Sequence, residues 1–422
     1  MAHPSMPRPL VALFACASGL SVANVYYAQP LLDALAADFG IGRAAIGGVI
    51  TITQVGSVLA LLLLVPLGDR LPRRHLMLAQ LLALTAALAG VSLAHGFAAL
   101  MVGMLAVGLL GTAMTQGLIA YAASAAGESE RGRVVGAAQG GVVAGLLLAR
   151  VLAGSIADIA GWRAVYASSA LAMVAMAALL WRTLPALPPP LPRPLLSPSP
   201  STTTAAPSPG PPLSPKLSYP RLIASMLTLL RRDRVLQVRG TIAMLMFAAF
   251  SILWSALVLP LSAPPYNYSH GAIGAFGLVG FAGTLAASRA GRWADRGWAQ
   301  KTSAGALLLI LLAWLPLGLF AWTSGAVALA SLIVGILALD VGVQALQVIN
   351  QSMIFRANSE AHSRLVGCYM MFYAVGSGTG AIAATSIYAI AGWTGVCLLG
   401  GAVSLAALLF WAATMEKRPP LP

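Results

Sequence analysis

Apolar runs of 18 residues or more recur twelve times along the chain, at approximately 10–35, 45–67, 76–94, 98–121, 134–158, 164–182, 238–260, 272–290, 302–322, 325–350, 365–388 and 394–414. Each is long enough to cross a hydrocarbon layer about 30 Å thick as a helix. Backbone in hydrocarbon must satisfy its own polar groups, so only helices or closed barrels span it, and the alternation a barrel strand needs is absent. The expected fold is an all-α membrane protein with 12 transmembrane helices. Composition agrees, because 9% of the 422 residues are charged against roughly 25% in an average globular protein. A water-soluble surface of this size cannot be covered with so few.

The net charge of +14 is a matter of topology. With the N-terminus inside, Arg70, Arg73, Arg74, Arg131, Arg133, Arg292, Arg296, Lys301, Arg356 and Arg364 fall at or near cytoplasmic loops. Arg43 and Arg163 fall outside, and Arg150 lies within a span. This asymmetry follows the positive-inside rule and places both termini in the cytoplasm. The bilayer is thus the expected partner, and nucleic acid is not. Cys16, Cys368 and Cys397 fall in spans without metal-like spacing, so no metal or other cofactor is expected.

Between the sixth and seventh spans, residues 183–220 hold fourteen of the 27 prolines. Such a segment cannot form a continuous helix or a core and reads as an extended cytoplasmic tether, followed by a short helix near Ile223–Leu230. The chain divides into an N-terminal six-helix bundle (1–183), a Pro-rich linker (184–235) and a C-terminal six-helix bundle (236–422). The halves resemble each other at an offset of 231 residues, pairing Arg133 with Arg364, Gly136 with Gly367, Gly145 with Gly376 and Gly161-Trp162 with Gly392-Trp393. Parallel repeats place a pseudo-two-fold axis along the membrane normal, with the working site at the interface of the halves.

The loop GDRLPRR (68–74) between spans two and three resembles the signature loop of the major facilitator superfamily, Gly-x-x-x-Asp-Arg-x-Gly-Arg-Arg. Asp69, Arg70, Arg73 and Arg74 match, while Val65 and Pro72 replace the two glycines. A second copy follows span eight, where Gly291, Asp295 and Arg296 match and Trp298 replaces the later glycine. The resemblance covers essentially the whole chain. It implies two pseudo-symmetric six-helix bundles, a small-molecule substrate and a gating role for the two loops. Asp69 and Asp295 can accept backbone N–H at a helix start and pair with arginines, holding helices in one of two arrangements; simple positive-inside anchoring is the alternative for Arg73 and Arg74.

Within the tenth run, LALDVGVQALQVINQ (337–351) places Asp340, Gln344, Gln347 and Gln351 at spacings of four, three and four, one face of a helix. Polar groups are costly in lipid, so this stripe must face protein or a water-filled cavity. A carboxylate there can bind and release a proton as its surroundings alternate between wet and occluded. A tenth-span carboxylate is one place where the superfamily puts a proton site, so the resemblance suggests proton coupling at Asp340; a structural polar contact is the alternative. Arg150 in span five needs a carboxylate, carbonyls or an anionic substrate group, and Asp340 is its natural counter-charge. Asn24 and Tyr27 in span one, Gln54 in span two, Gln116 in span four, Trp254 in span seven and Tyr373 in span eleven complete the candidate cavity. Glycines of spans five and eleven, including Gly136, Gly140, Gly141, Gly145, Gly376 and Gly380, are expected to permit close helix approach.

No clustered His, Cys, Ser or carboxylate set suggests an enzyme, and none of the three lysines follows a glycine, so a phosphate-binding loop is absent. The expectation is a secondary active transporter, proton-coupled, acting as a monomer in the bacterial inner membrane. Efflux is the favoured direction by resemblance to the efflux-type branch. The alternatives are a proton-coupled uptake permease for a sugar or anionic metabolite and, more remotely, a non-transporting receptor or enzyme.

Overall fold

A computed structural model describes residues 6–127, 130–184, 218–281, 283, 289–290, 292–357 and 362–415. Every element among them is helical. Nine of these helices are long and apolar enough to cross a membrane, and a shorter apolar helix, His270–Gly280, opens the eighth expected span.

Two of the long helices, Arg131–Thr183 and His362–Met415, run for 53 and 54 residues. Each is broken once by a glycine outside helical geometry, at Gly161 (φ 78°, ψ 167°) and Gly392 (φ 60°, ψ −157°). A side chain there would clash with its own backbone, so only glycine adopts the turn without strain. The breaks occupy equivalent positions of the internal repeat. After Gly161 the chain returns to the arginine-rich end, where the Trp181 carbonyl accepts from Arg74 Nη2 (2.7 Å). The Gly-Trp pairs therefore mark helix reversals at the opposite end.

Helix contact within each half depends on missing side chains. A Cβ at Gly141 would lie 2.0 Å from the Ala15 carbonyl oxygen, and one at Gly145 would lie 2.2 Å from that of Gly19. In the second half, Gly376 and Gly380 meet the Met244 and Ala248 carbonyls at 2.0 and 2.5 Å in the same sense. Gly136 and Gly140 differ from expectation: they face open space, so the close approach in span five begins only at Gly141. The reason is register, since a helix turns these two positions away from span one.

The proline-rich tether expected over 188–215 lies outside the described residues. Beyond it, Tyr219–Arg232 forms a helix that lies across both halves at the basic end. Tyr219 Oη donates to the Leu63 carbonyl (2.6 Å), while Arg364 Nη1 donates to Ser225 Oγ (3.0 Å). Asp233 then caps the next helix by accepting from the Leu236 amide at 2.9 Å.

At the end opposite the arginines the halves are pressed together. A Cβ at Gly154 would lie 2.1 Å from the His270 carbonyl oxygen, and one at Gly274 would lie 2.2 Å from that of Arg150. Thr51 Oγ1 donates to the Gly378 carbonyl (2.8 Å) and Thr385 Oγ1 to that of Ala44 (3.1 Å). Charged groups complete this seam. His270 places Nε2 3.1 Å from Asp33 and Nδ1 3.3 Å from Asp158. The amides of His270 and Gly271 donate to the Asp158 carboxylate at 2.9 and 2.8 Å.

Candidate functional site

Below the closed seam, a cavity of about 150 Å³ lies between the halves. Gln54, Ser57, Gln116 and Gln139 line it from the first half. Gln344, Gln347 and Gln351 line it from the helix Gly325–Ala357, while Asp340, the first residue of the polar stripe, does not. Phe247, Phe250 and Tyr373 form much of the remaining wall. The hydroxyls of Tyr26 and Tyr373 bond to each other across the halves.

Asp340 stands one turn above this cavity, toward the closed seam, and is 5% exposed. Arg150 is 2% exposed and comes from the opposite half. Its Nε donates to Gln29 Oε1 (3.0 Å), and its guanidinium lies 3.9 Å from the Trp254 ring centre and 5.6 Å from that of Phe250. Arg150 and Asp340 lie in each other's electrostatic field, yet no direct ion pair joins them among the described residues. Arg150 Nη2, Asp340 Oδ1 and Trp254 Nε1 are all buried without a hydrogen-bond partner. Gly280 leaves room for the carboxylate, because a Cβ there would sit 2.4 Å from Asp340 Oδ2. Spans five, seven, eight and ten thus converge on one carboxylate and one guanidinium whose bonding is incomplete, and incomplete bonding of buried charge is costly.

Of the residues singled out in the sequence, Gln54, Gln116, Gln344, Gln347 and Tyr373 share the cavity. Arg150 and Trp254 instead line a small void behind it, between the two halves. Asn24 and Tyr27 point into the first half. Asn24 accepts from Ser169 Oγ (2.5 Å), and Tyr27 meets Tyr166 edge-on at 6.5 Å. At the basic end, Arg73 donates to the carbonyls of Gly68 (3.1 Å) and Ala120 (3.0 Å), bridging the signature loop to span four. Arg74 stacks on Trp181 at 5.6 Å. Arg70 and Arg296 are exposed. The side chains of Asp69 and Asp295 lie outside the described residues.

Residues 13–354 match the model of the Major Facilitator Superfamily. The chain belongs to this superfamily. It is 37% identical over 402 residues to the Uncharacterized transporter YgaY of Escherichia coli O157:H7, covering 95% of this chain and 94% of that protein. It is 30% identical over 412 residues to the Probable transporter SCO4007 of Streptomyces coelicolor, covering 97% and 88%. Among solved structures, a bacterial homologue of the human lysosomal transporter Spinster, in an inward-facing and unoccupied conformation, superposes with a TM-score of 0.68 at 13% identity, covering 99% of this chain and all of that one. The chain is accordingly a multi-pass membrane transporter and not an enzyme.

Sequence reasoning about this superfamily member overlooked one buried cation. Arg239 is 4% exposed in span seven and donates to Gln300 Oε1 (2.8 Å), Ser303 Oγ (3.3 Å) and Asn350 Oδ1 (3.5 Å). Its signal was present, since Arg239 lies just inside the apolar run 238–260. These bonds tie spans seven, nine and ten together, which also gives Asn350 a structural partner. Tyr26, which the sequence left open between cavity and interface belt, reaches the cavity, where its neighbour Tyr27 does not.

Proposed function

We propose that the protein moves a small organic solute across the bilayer by alternating access, coupled to protons at Asp340, in the direction of export. The observation that carries this is the buried, incompletely bonded Asp340–Arg150 pair on opposite halves, placed between the closed seam and the cavity. Protonating Asp340 removes its attraction for Arg150, and deprotonating it restores that attraction across the very interface that must open and close. A proton can in this way bias one packing of the halves over the other. The arginine-rich end is cytoplasmic by the positive-inside rule, so the described arrangement presents its cavity from the cytoplasm. The two bundles, 1–183 and 236–422, move as the two rocking bodies, and the signature loops with Asp69 and Asp295 steady one end of the motion. The chain works as a monomer in the bacterial inner membrane.

Asp340→Asn tests the coupling. In reconstituted vesicles, transport driven by a pH gradient should fall to background, while exchange of substrate at equal pH survives because exchange needs no proton cycle. Normal gradient-driven accumulation by the variant would remove Asp340 from the role. Equal loss of both activities would make it a structural contact.

A further inference from the structure

The walls of the cavity carry a regularity beyond their position. Every polar side chain on them is an amide or a hydroxyl, and among the described lining residues none is charged. Six glutamines contribute: Gln54, Gln116, Gln139, Gln344, Gln347 and Gln351. The hydroxyls are mostly occupied, with Thr112 donating to Ser57 (2.8 Å) and Thr115 to the Gly111 carbonyl (2.8 Å). The glutamines are not. Their amides have no hydrogen-bond partner among the described residues. Each therefore offers both donors and an acceptor to whatever enters.

The charges nearby are withheld from this space. Arg150 is not among the lining residues and lies against the rings of Phe250 and Trp254. Asp340 is not among the lining residues. Arg73 and Arg364 line a neighbouring cavity of about 140 Å³ beyond Gln116, at the basic end, and are bonded to Gly68, Ala120 and Ser225. An ion entering the glutamine-lined space would leave water without a counter-charge, which is strongly unfavourable. A neutral polar group would exchange water for an amide at little cost. Gln344 to Gln351 spans seven residues of helix, about 10 Å at 1.5 Å per residue, and Phe247 and Phe250 supply an apolar wall.

We infer that the cavity takes an uncharged, amphipathic solute with several hydroxyl or amide groups along one side, such as an aryl glycoside, and rejects anions and cations of the same size. This rests on reading the cavity as the site of the transported solute. Full-length protein in detergent is titrated, by thermal shift, with three nitrophenyl β-glycosides that differ in charge: the glucoside, the anionic glucuronide and the cationic glucosaminide. The glucoside should bind at millimolar concentration or better, at least about tenfold more tightly than either charged analogue. Gln347→Glu, and independently Gln116→Glu, should raise affinity for the glucosaminide by about tenfold and lower that for the glucuronide. Equal or tighter binding of a charged glycoside by the unaltered protein, or failure of the glucoside to bind at millimolar concentration, overturns the inference. Counterflow of the same compounds in vesicles separates it from the transport reading. A glucoside bound but never moved would sink transport through this cavity and leave recognition intact, whereas a charged glycoside bound and moved would do the reverse.

Discussion

The closed seam and the cavity beneath it join the same two halves with opposite chemistry. The seam uses charge: His270 of the second half sits between Asp33 and Asp158 of the first. The cavity uses amides and aromatic rings, with no charge on its described walls. Charged bonds at a water-accessible rim can be exchanged for hydration when the rim opens, so each contributes little net stability and resists opening only modestly. The same charges inside the cavity would have no such exchange available. The difference teaches where this transporter can tolerate strong local interactions: at the edge that must break repeatedly, and not in the passage. Arg150 and Asp340 lie between the two regions and line neither.

The largest test of this comparison is steric. Gly154→Leu drives a side chain into the His270 carbonyl, 2.1 Å from the position of its first atom. Overpacking of this kind costs about 3 kcal/mol, enough to force the seam apart. Spin labels at Ile41 and Ser262, in a background without the three cysteines, should report a longer distance across the seam. Gly140→Leu, which faces open space, should leave that distance unchanged. An unchanged distance in the Gly154 variant would mean that the helices hold the seam closed without close contact.

Smaller is the effect of removing a capping carboxylate. Asp158→Ala deletes the bonds to the His270 and Gly271 amides and frees one side of the His270 ring. The closed population should lose about 1–2 kcal/mol, seen as a partial shift in the same distance distribution. Asp158→Asn, which keeps an acceptor, should lie between the variant and the unaltered protein.

Smallest is the effect of pH on the seam. His270 heads its helix, outside the apolar spans. The hydrogen bond to Asp33 raises its pKa above the ordinary histidine value, against the opposing effect of burial, and the charges of Asp33 and Asp158 add to the rise. The proton is thus held more tightly with the seam closed than with it open. Its contribution is complete below the ordinary histidine pKa and is lost as pH on that side climbs through the raised one. Raising pH should therefore loosen the seam by less than about 1 kcal/mol for this partly exposed pair, and His270→Gln should abolish that dependence. A seam that tightens on alkalinisation would contradict the assignment.

The sequence by itself determined the elements. A run of apolar residues in hydrocarbon has no other way to satisfy its backbone than to become a helix, so the spans at 45–67, 98–121 and 325–350 follow from composition alone. Gly161-Trp162 and Gly392-Trp393 were legible as turns because only glycine bends the chain there. The polar stripe from Asp340 to Gln351 announced a wet face by its spacing, and the Asp-Arg loop announced the superfamily. Tertiary structure alone decided what those faces meet. A span that is apolar all round bears no mark of which side touches lipid and which touches protein, so Tyr26 reaches the cavity while Tyr27 and Asn24 point into the first half. For the same reason Gly141 is a contact and Gly140 is open. Arg150 and Asp340 are 190 positions apart, and no local pattern ties them. Their approach depends on how spans five, eight and ten pack, with Gly274 and Gly280 admitting the backbone and the carboxylate between them.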